Sequence, residues 1–186
     1  MHVLVIAGTS SGAGKTTLAC ALLQRLPGWG AVKVSEPHGR HGGPDLRRED
    51  PSTVRRGSDT ARFLAAGAVR AWWLRARREE VAAAVPRVWA EADGLPGLVV
   101  EGNRAAGAFG GRLVLVAHAA RPEVKLSARP LLALADTRVL NAPRRLDGLP
   151  LAEWTARLPG APVADLDDPL DPARESLLYG LISTLI

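Results

Sequence analysis

The apolar run HVLVIA, His2 to Ala7, leads directly into GTSSGAGKTTL, and this junction constrains the fold more than any other stretch of the chain. The run is short, rich in β-branched residues and bounded by Gly8, so it reads as a strand buried on both faces. Leu18, Leu22 and Leu26 then recur at helical spacing over residues 15–26, and Pro27 with Gly28 closes that helix. A buried strand joined through a glycine-rich turn to an amphipathic helix is the opening unit of a parallel sheet with helical crossovers.

The rest of the chain repeats the alternation. Residues 31–35 (AVKVS), 69–74, 97–100 (GLVV), 112–117 (RLVLVA) and 137–140 read as strands. Residues 58–66, 78–92 and 128–135 read as helices, the first with Ser58 as its N-cap. Asp171 and Pro172 offer an N-cap and a first-turn proline for a last helix, whose Leu177, Leu178, Leu181, Ile182 and Leu185 form one apolar stripe. Residues 36–57, rich in Gly, Pro, Arg and His, read as a long functional or mobile loop. The expected architecture is α/β: one domain over residues 1–186, with a mainly parallel sheet flanked by helices on both faces. Ligands of such sheets bind beyond the carboxyl ends of the strands.

The composition, 47% hydrophobic and 23% charged, suits a globular chain, and no apolar run approaches the roughly 20 residues of a membrane helix. The first segment is too short and lacks the basic start of a signal peptide, so the cytoplasm is the expected location. Cys20 is the only cysteine, which excludes an intramolecular disulfide and a cysteine metal cluster; within the first helix it reads as a small apolar residue. The net charge is +5, and arginine supplies nearly all the positive charge, since the only lysines are Lys15, Lys33 and Lys125. Such a chain attracts anions, with nucleic acid ranked low for want of aromatics and of an RNA-binding signature.

The turn after the first strand is where an anion belongs. The pattern G-x-x-x-x-G-K-[ST] fits at Gly14, Lys15 and Thr16 but demands glycine at residue 9, where Thr9 stands; Gly8 comes one place early and Gly12 is extra. The mechanism survives the shift. Backbone N–H groups of Gly8, Thr9, Ser11, Gly12, Ala13 and Gly14 can curl around phosphate oxygens, and the helix opening at Lys15, Thr16 and Thr17 adds its positive dipole end. Lys15 can reach the β- and γ-phosphates, and the Thr16 hydroxyl can ligate Mg²⁺. A nucleoside triphosphate, GTP or ATP, is the expected ligand.

GTSSGAGKTT resembles the phosphate loops of one branch of P-loop NTPases, which contains the dethiobiotin synthetase and cobyrinic acid amide synthase group and the molybdopterin-guanine dinucleotide adaptors of MobB type. In dethiobiotin synthetase-like loops the leading glycine also sits one residue early. The partition-type ATPases of the branch carry a second lysine where this chain has Ser10, so it does not resemble that subgroup. LVVEGNR resembles the V-E-G motif of both families, whose glutamate helps hold Mg²⁺, which implies a metal role for Glu101. RGSDTARFLAAGA, Arg56 to Ala68, resembles the G-K-D-S-x-R-x-x-x-A-G-A stretch of the adaptors and makes Asp59 a second metal candidate; stabilising its helix N-terminus is a compatible role. Lys33 matches a lysine that faces the phosphates in these families, with an edge lysine as the other reading. Lys15 and Lys33 are thus the candidate catalytic residues. Asn141 matches a nucleotide-base contact, with a plain strand-end cap as the other reading.

Several residues stay open. His38, His41 and Asp45 could ligate a metal, touch substrate, or only form part of a basic loop. His118 is structural or substrate-facing. Arg40, Arg47, Arg48, Arg55 and Arg56 could dock a phosphorylated substrate or an acidic partner, or be solvated. Two functions follow from the resemblance, which fades after Arg104. One is a GTP-binding adaptor assisting a partner transferase in molybdenum cofactor maturation. The other is an ATP-dependent, dethiobiotin synthetase-like enzyme that activates a carboxylate, although the loop reads G-T-S-S where that enzyme has G-T-D-T. A homodimer is a further family expectation.

Overall fold

The computed structural model describes residues 1–37, 39 and 42–185. His38, Arg40 and His41, named above, lie outside the described residues. Among those described, eight strands and six α-helices alternate: β1 (His2–Gly8), α1 (Lys15–Leu23), β2 (Gly30–Ser35), β3 (Asp45–Arg48), α2 (Asp59–Ala65), β4 (Ala71–Arg75), α3 (Val81–Glu91), β5 (Gly97–Glu101), β6 (Arg112–His118), α4 (Leu131–Leu134), β7 (Thr137–Asn141), α5 (Leu151–Arg157), β8 (Val163–Ala164) and α6 (Pro172–Ser183).

The strands form one sheet in the order β3-β4-β2-β5-β1-β6-β7-β8, parallel throughout except for β3 against β4. From central β1 the chain runs to one side through β2, β3 and β4, returns through β5, then crosses to β6, β7 and β8 on the other. The turn after β1 therefore lies where the direction of winding reverses, the crevice in which open α/β sheets bind ligands.

Alternation along β1 explains the two-sided burial. Leu4 and Ile6 pack into one core with Leu18 and Leu22 of α1, Phe63 of α2, and Leu177, Leu178 and Leu181 of α6. Val3, Val5 and Ala7 pack into another with Val81, Val85 and Val88 of α3 and Leu131 of α4. Helices thus cover both faces, as the uninterrupted apolar run requires.

Several expected elements are present with shifted ends. Ser58 caps α2 by accepting from the Ala61 N–H at 3.2 Å. The helix expected at 78–92 begins as a 3₁₀ turn, Arg78–Glu80, before α3. The one expected at 128–135 is a 3₁₀ turn, Leu126–Ala128, followed by α4. The expected 36–57 loop contains β3, whose DLRR sequence lacks apolar alternation; antiparallel pairing to β4 makes it a strand. α5 and β8 arise in a stretch assigned no element. Among the described residues, no helix is long and apolar enough to cross a membrane.

The last helix is anchored through its cap. Asp171 is 1% exposed and accepts from Asp165 N at 2.7 Å, Ala173 N at 3.2 Å and the Arg144 guanidinium at 2.5 Å. Burial opposes its charge, but these donors outweigh it and hold the carboxyl below its usual value of 3.8. A depressed pKa stabilises above the unfolded value and is lost as pH falls through the folded one. Asp171→Ala is expected to cost about 2 kcal/mol in urea unfolding at neutral pH, and the gap between wild type and Asp171→Asn to close only below about pH 4.

Candidate functional site

The turn between β1 and α1 is held open by its surroundings. Asn103 staples the end of β1, accepting from Gly8 N at 2.9 Å and donating to Gly8 O at 3.0 Å. Thr9 N donates to Val116 O of β6 at 2.9 Å, and Thr9 O accepts from Lys125 N at 2.9 Å. The N–H groups of Gly8 and Thr9 are therefore spent inside the protein. Those from Ser10 through Thr17 have no acceptor among the described residues, and the first bond of the helix is Leu18 N to Gly14 O at 2.9 Å. The helix dipole adds partial positive charge to this row.

Glycine is required at Gly14, which caps α1 in the left-handed region with φ 105°. A Cβ there would come within 2.8 Å of the Asn141 amide nitrogen. At Gly102, φ is 145° and a Cβ would strike the Val34 carbonyl, so the turn after Glu101 can pass close to β2 only as glycine.

Lys15, Thr16, Lys33, Asp59 and Glu101 meet beside this turn. The register pairs Lys33 of β2 with Glu101 of β5. The Thr16 hydroxyl lies 2.8 Å from Glu101 Oε2 and 3.1 Å from Asp59 Oδ1. Lys33 Nζ lies 2.6 Å from Glu101 Oε1 and 2.5 Å from Asp59 Oδ2. Each carboxylate thus turns one oxygen to Thr16 and the other to Lys33. One hydroxyl proton is shared between two carboxylates, so hard oxygen atoms converge there with unspent acceptor capacity.

The electrostatics differ among the lysines. Burial disfavours the Lys33 ammonium, but Glu101 and Asp59 outweigh it and raise its pKa above the usual lysine value. Asp59 is likewise opposed by burial, yet Lys33 and the Thr16 hydroxyl hold its carboxyl below the usual range. Lys15 goes the other way. Burial lowers its pKa, Lys33 and Lys125 add to that, and Glu101 with Asp59 offsets it only in part. Its Nζ has one long contact, 3.5 Å to Ser10 O.

Two further cations reach the turn from beyond β6, and neither was read from the sequence. Lys125 Nζ donates to Ser11 Oγ at 2.6 Å, and Arg121 donates to Ser11 O at 2.5 Å. All three lysines of the chain therefore converge on one site. Their rarity in an arginine-rich chain is the signal that could have found Lys125; Arg121 had none. The hydroxyls of Thr9 and Ser10 are buried without hydrogen-bond partners among the described residues.

Asn141, 1% exposed, donates to Ala13 O at 3.3 Å and accepts from Leu166 N at 3.0 Å. It lines a hollow of about 140 Å³ with Gly12, Ala13, Gly14, Thr17, Arg62 and Asp167. Other candidates lie elsewhere. Asp45 pairs with Arg75. His118 Nδ1 accepts from Ala120 N at 3.2 Å, and burial and Arg121 depress its pKa. Cys20, half-buried on α1, contacts Arg62 O, with its thiol pKa raised by burial. Among the described residues, no cluster of three or more His, Cys, Asp or Glu is arranged to hold a metal, so a cation at the carboxylate pair would share Thr16 as a ligand. No protein-family model matches this chain, and no curated protein sequence matches it.

Proposed function

We propose that the chain is a Mg²⁺-dependent nucleoside-triphosphate-binding protein of the P-loop class, a single-domain NTPase acting in the cytoplasm. One observation supports the reading: a row of N–H groups, Ser10 through Thr17, that make no hydrogen bond of ordinary length and angle among the described residues opens onto a helix N-terminus beside Lys15. Consecutive free amides at a helix start form an anion nest, and a half-buried, underpaired ammonium lacks the counter-charge that a polyphosphate brings.

The donor set fits Mg²⁺, a hard cation that takes few protein oxygens and keeps several waters. Thr16, Asp59 and Glu101 would hold it, and when bound it would neutralise charge on the β- and γ-phosphates. The chain's own groups do the rest. Lys15 and the loop amides bind the phosphate oxygens. Lys33, held by the two carboxylates, stands ready to meet charge that develops on the terminal phosphoryl group. In this reading Asn141 and Asp167, which line the hollow next to Thr17, would face ribose or base.

Within this class the sequence stretches around Asp59 and Glu101 favour a GTP-binding adaptor of MobB type that assists a partner transferase. The second reading, an ATP-dependent enzyme of the dethiobiotin synthetase kind, is favoured by a cavity that shares Lys33 and Asp59. Calorimetry with GTP and ATP, with and without Mg²⁺, tests both. Tight binding of at least one triphosphate is expected, weakened by about tenfold or more when Mg²⁺ is chelated. GTP preference with slow hydrolysis selects the adaptor, and ATP preference with carboxylate-stimulated turnover selects the enzyme. Failure of both triphosphates to bind sinks the proposal.

A further inference from the structure

A cavity of about 730 Å³ opens on the β2-β4-β3 side of the carboxylate pair, within the usual size range of small-molecule sites. β2 supplies Lys33, β3 supplies Arg47, β4 supplies Trp73, and the segment before α2 supplies Glu49 and Arg55. Three features of this lining bear on what it could hold. The guanidinium groups of Arg47 and Arg55 have no hydrogen bond or ion pair among the described residues, whereas nearby Arg75 is paired with Asp45. Glu49 is only 7% exposed, and its carboxylate, which still reaches solvent, has no partner among the described residues. The indole of Trp73 is fixed, with its N–H donating to Ser35 Oγ at 2.7 Å and the Arg75 guanidinium 5.0 Å from its ring centre.

We propose that this cavity binds a second small molecule, an oxyanion (phosphate or carboxylate) that also carries an amine or hydroxyl group. The two free guanidiniums take the oxyanion through charge-assisted hydrogen bonds. Glu49 accepts from the amine or hydroxyl and so gains the donor it lacks. Arg47 lies opposite Trp73 across the β3–β4 pair, which sets the charge next to a rigid apolar wall for the ligand's carbon skeleton. The shared Lys33 and Asp59 place this molecule next to the terminal phosphate of a bound nucleotide. That adjacency rests on the function proposed above; the binding itself does not.

The probe is phosphoethanolamine, titrated into nucleotide-free protein while the indole N–H signals are followed by NMR. The Trp73 signal is assigned by its loss in Trp73→Phe. A saturable shift of Trp73 is expected, and in Arg47→Ala/Arg55→Ala the dissociation constant should rise by about tenfold or more. Glu49→Gln should weaken phosphoethanolamine several-fold and leave inorganic phosphate, which has no amine, unchanged. β-Alanine in place of phosphoethanolamine separates a carboxylate ligand from a phosphate one. The proposal is overturned if neither probe shifts Trp73 saturably, or if the shift survives the double arginine substitution unaltered. Lys15→Ala protein should bind the probe like wild type. A protein that binds phosphoethanolamine but no triphosphate would keep the cavity assignment and remove the nucleotide one.

Discussion

Lys15→Ala is expected to lose triphosphate binding, with affinity falling by about 100-fold or more in calorimetry. The size follows from removing a charged hydrogen-bond donor, worth roughly 3 kcal/mol when its partner is also charged and the site is desolvated. Lys15 is half-buried at the turn, and its pKa is lowered because desolvation and two neighbouring lysines outweigh Glu101 and Asp59. That imbalance is relieved either by losing the proton or by gaining an anion. Folding should change little or improve, because the substitution removes an underpaired, half-buried charge and leaves only one long contact unmade. The two readouts therefore move apart. Affinity collapses while the thermal midpoint holds or rises, and unchanged affinity would remove the proposed role of the turn.

Glu101→Ala has the opposite profile, with a large loss of stability. Glu101 is fully buried and serves both Thr16 and Lys33. Removing it leaves Lys33 with Asp59 alone. The expected cost is about 3 kcal/mol, at the low end for breaking a buried pair because Lys33 keeps one partner and 20% of its side-chain exposure. For a chain of this length that corresponds to a fall of roughly 6–12 °C in Tm. Glu101→Gln retains hydrogen bonding to Thr16 and should recover part of the stability while still weakening the Mg²⁺ dependence of triphosphate binding. A Tm for Glu101→Ala within a degree or so of wild type would mean that the pair contributes little to the fold.

The central elements were legible because local pattern and tertiary role coincide. HVLVIA alternates between the two cores of the sheet, and an apolar run of that length has no other way to be buried on both sides. Glu101 was legible because it ends an apolar strand, and Asp59 through the resemblance of its stretch to those of known families; both stand where a parallel sheet gathers its loops at one end. β3, α5 and β8 were not. Their sequences carry no period of their own, and their conformation comes from the neighbour they pair with or cover. Asn103, Arg121 and Lys125 were missed for a related reason: each acts on the first turn from at least 95 residues away in sequence.

The residue sequence by itself therefore decided the layered α/β architecture and the chemistry on offer at the first turn, since both depend on local spacing. Which of those groups meet was decided only in three dimensions. Strand order brings β2 and β5 side by side, so that Lys33 lies opposite Glu101, whose carboxylate bridges it to Thr16. The same packing spends the amides of Gly8 and Thr9 within the protein and leaves those from Ser10 through Thr17 without a well-formed bond among the described residues. The physical reason is range: side-chain periodicity is set by neighbours a few positions away, whereas pairing of charges and burial of donors depend on the closure of the whole sheet.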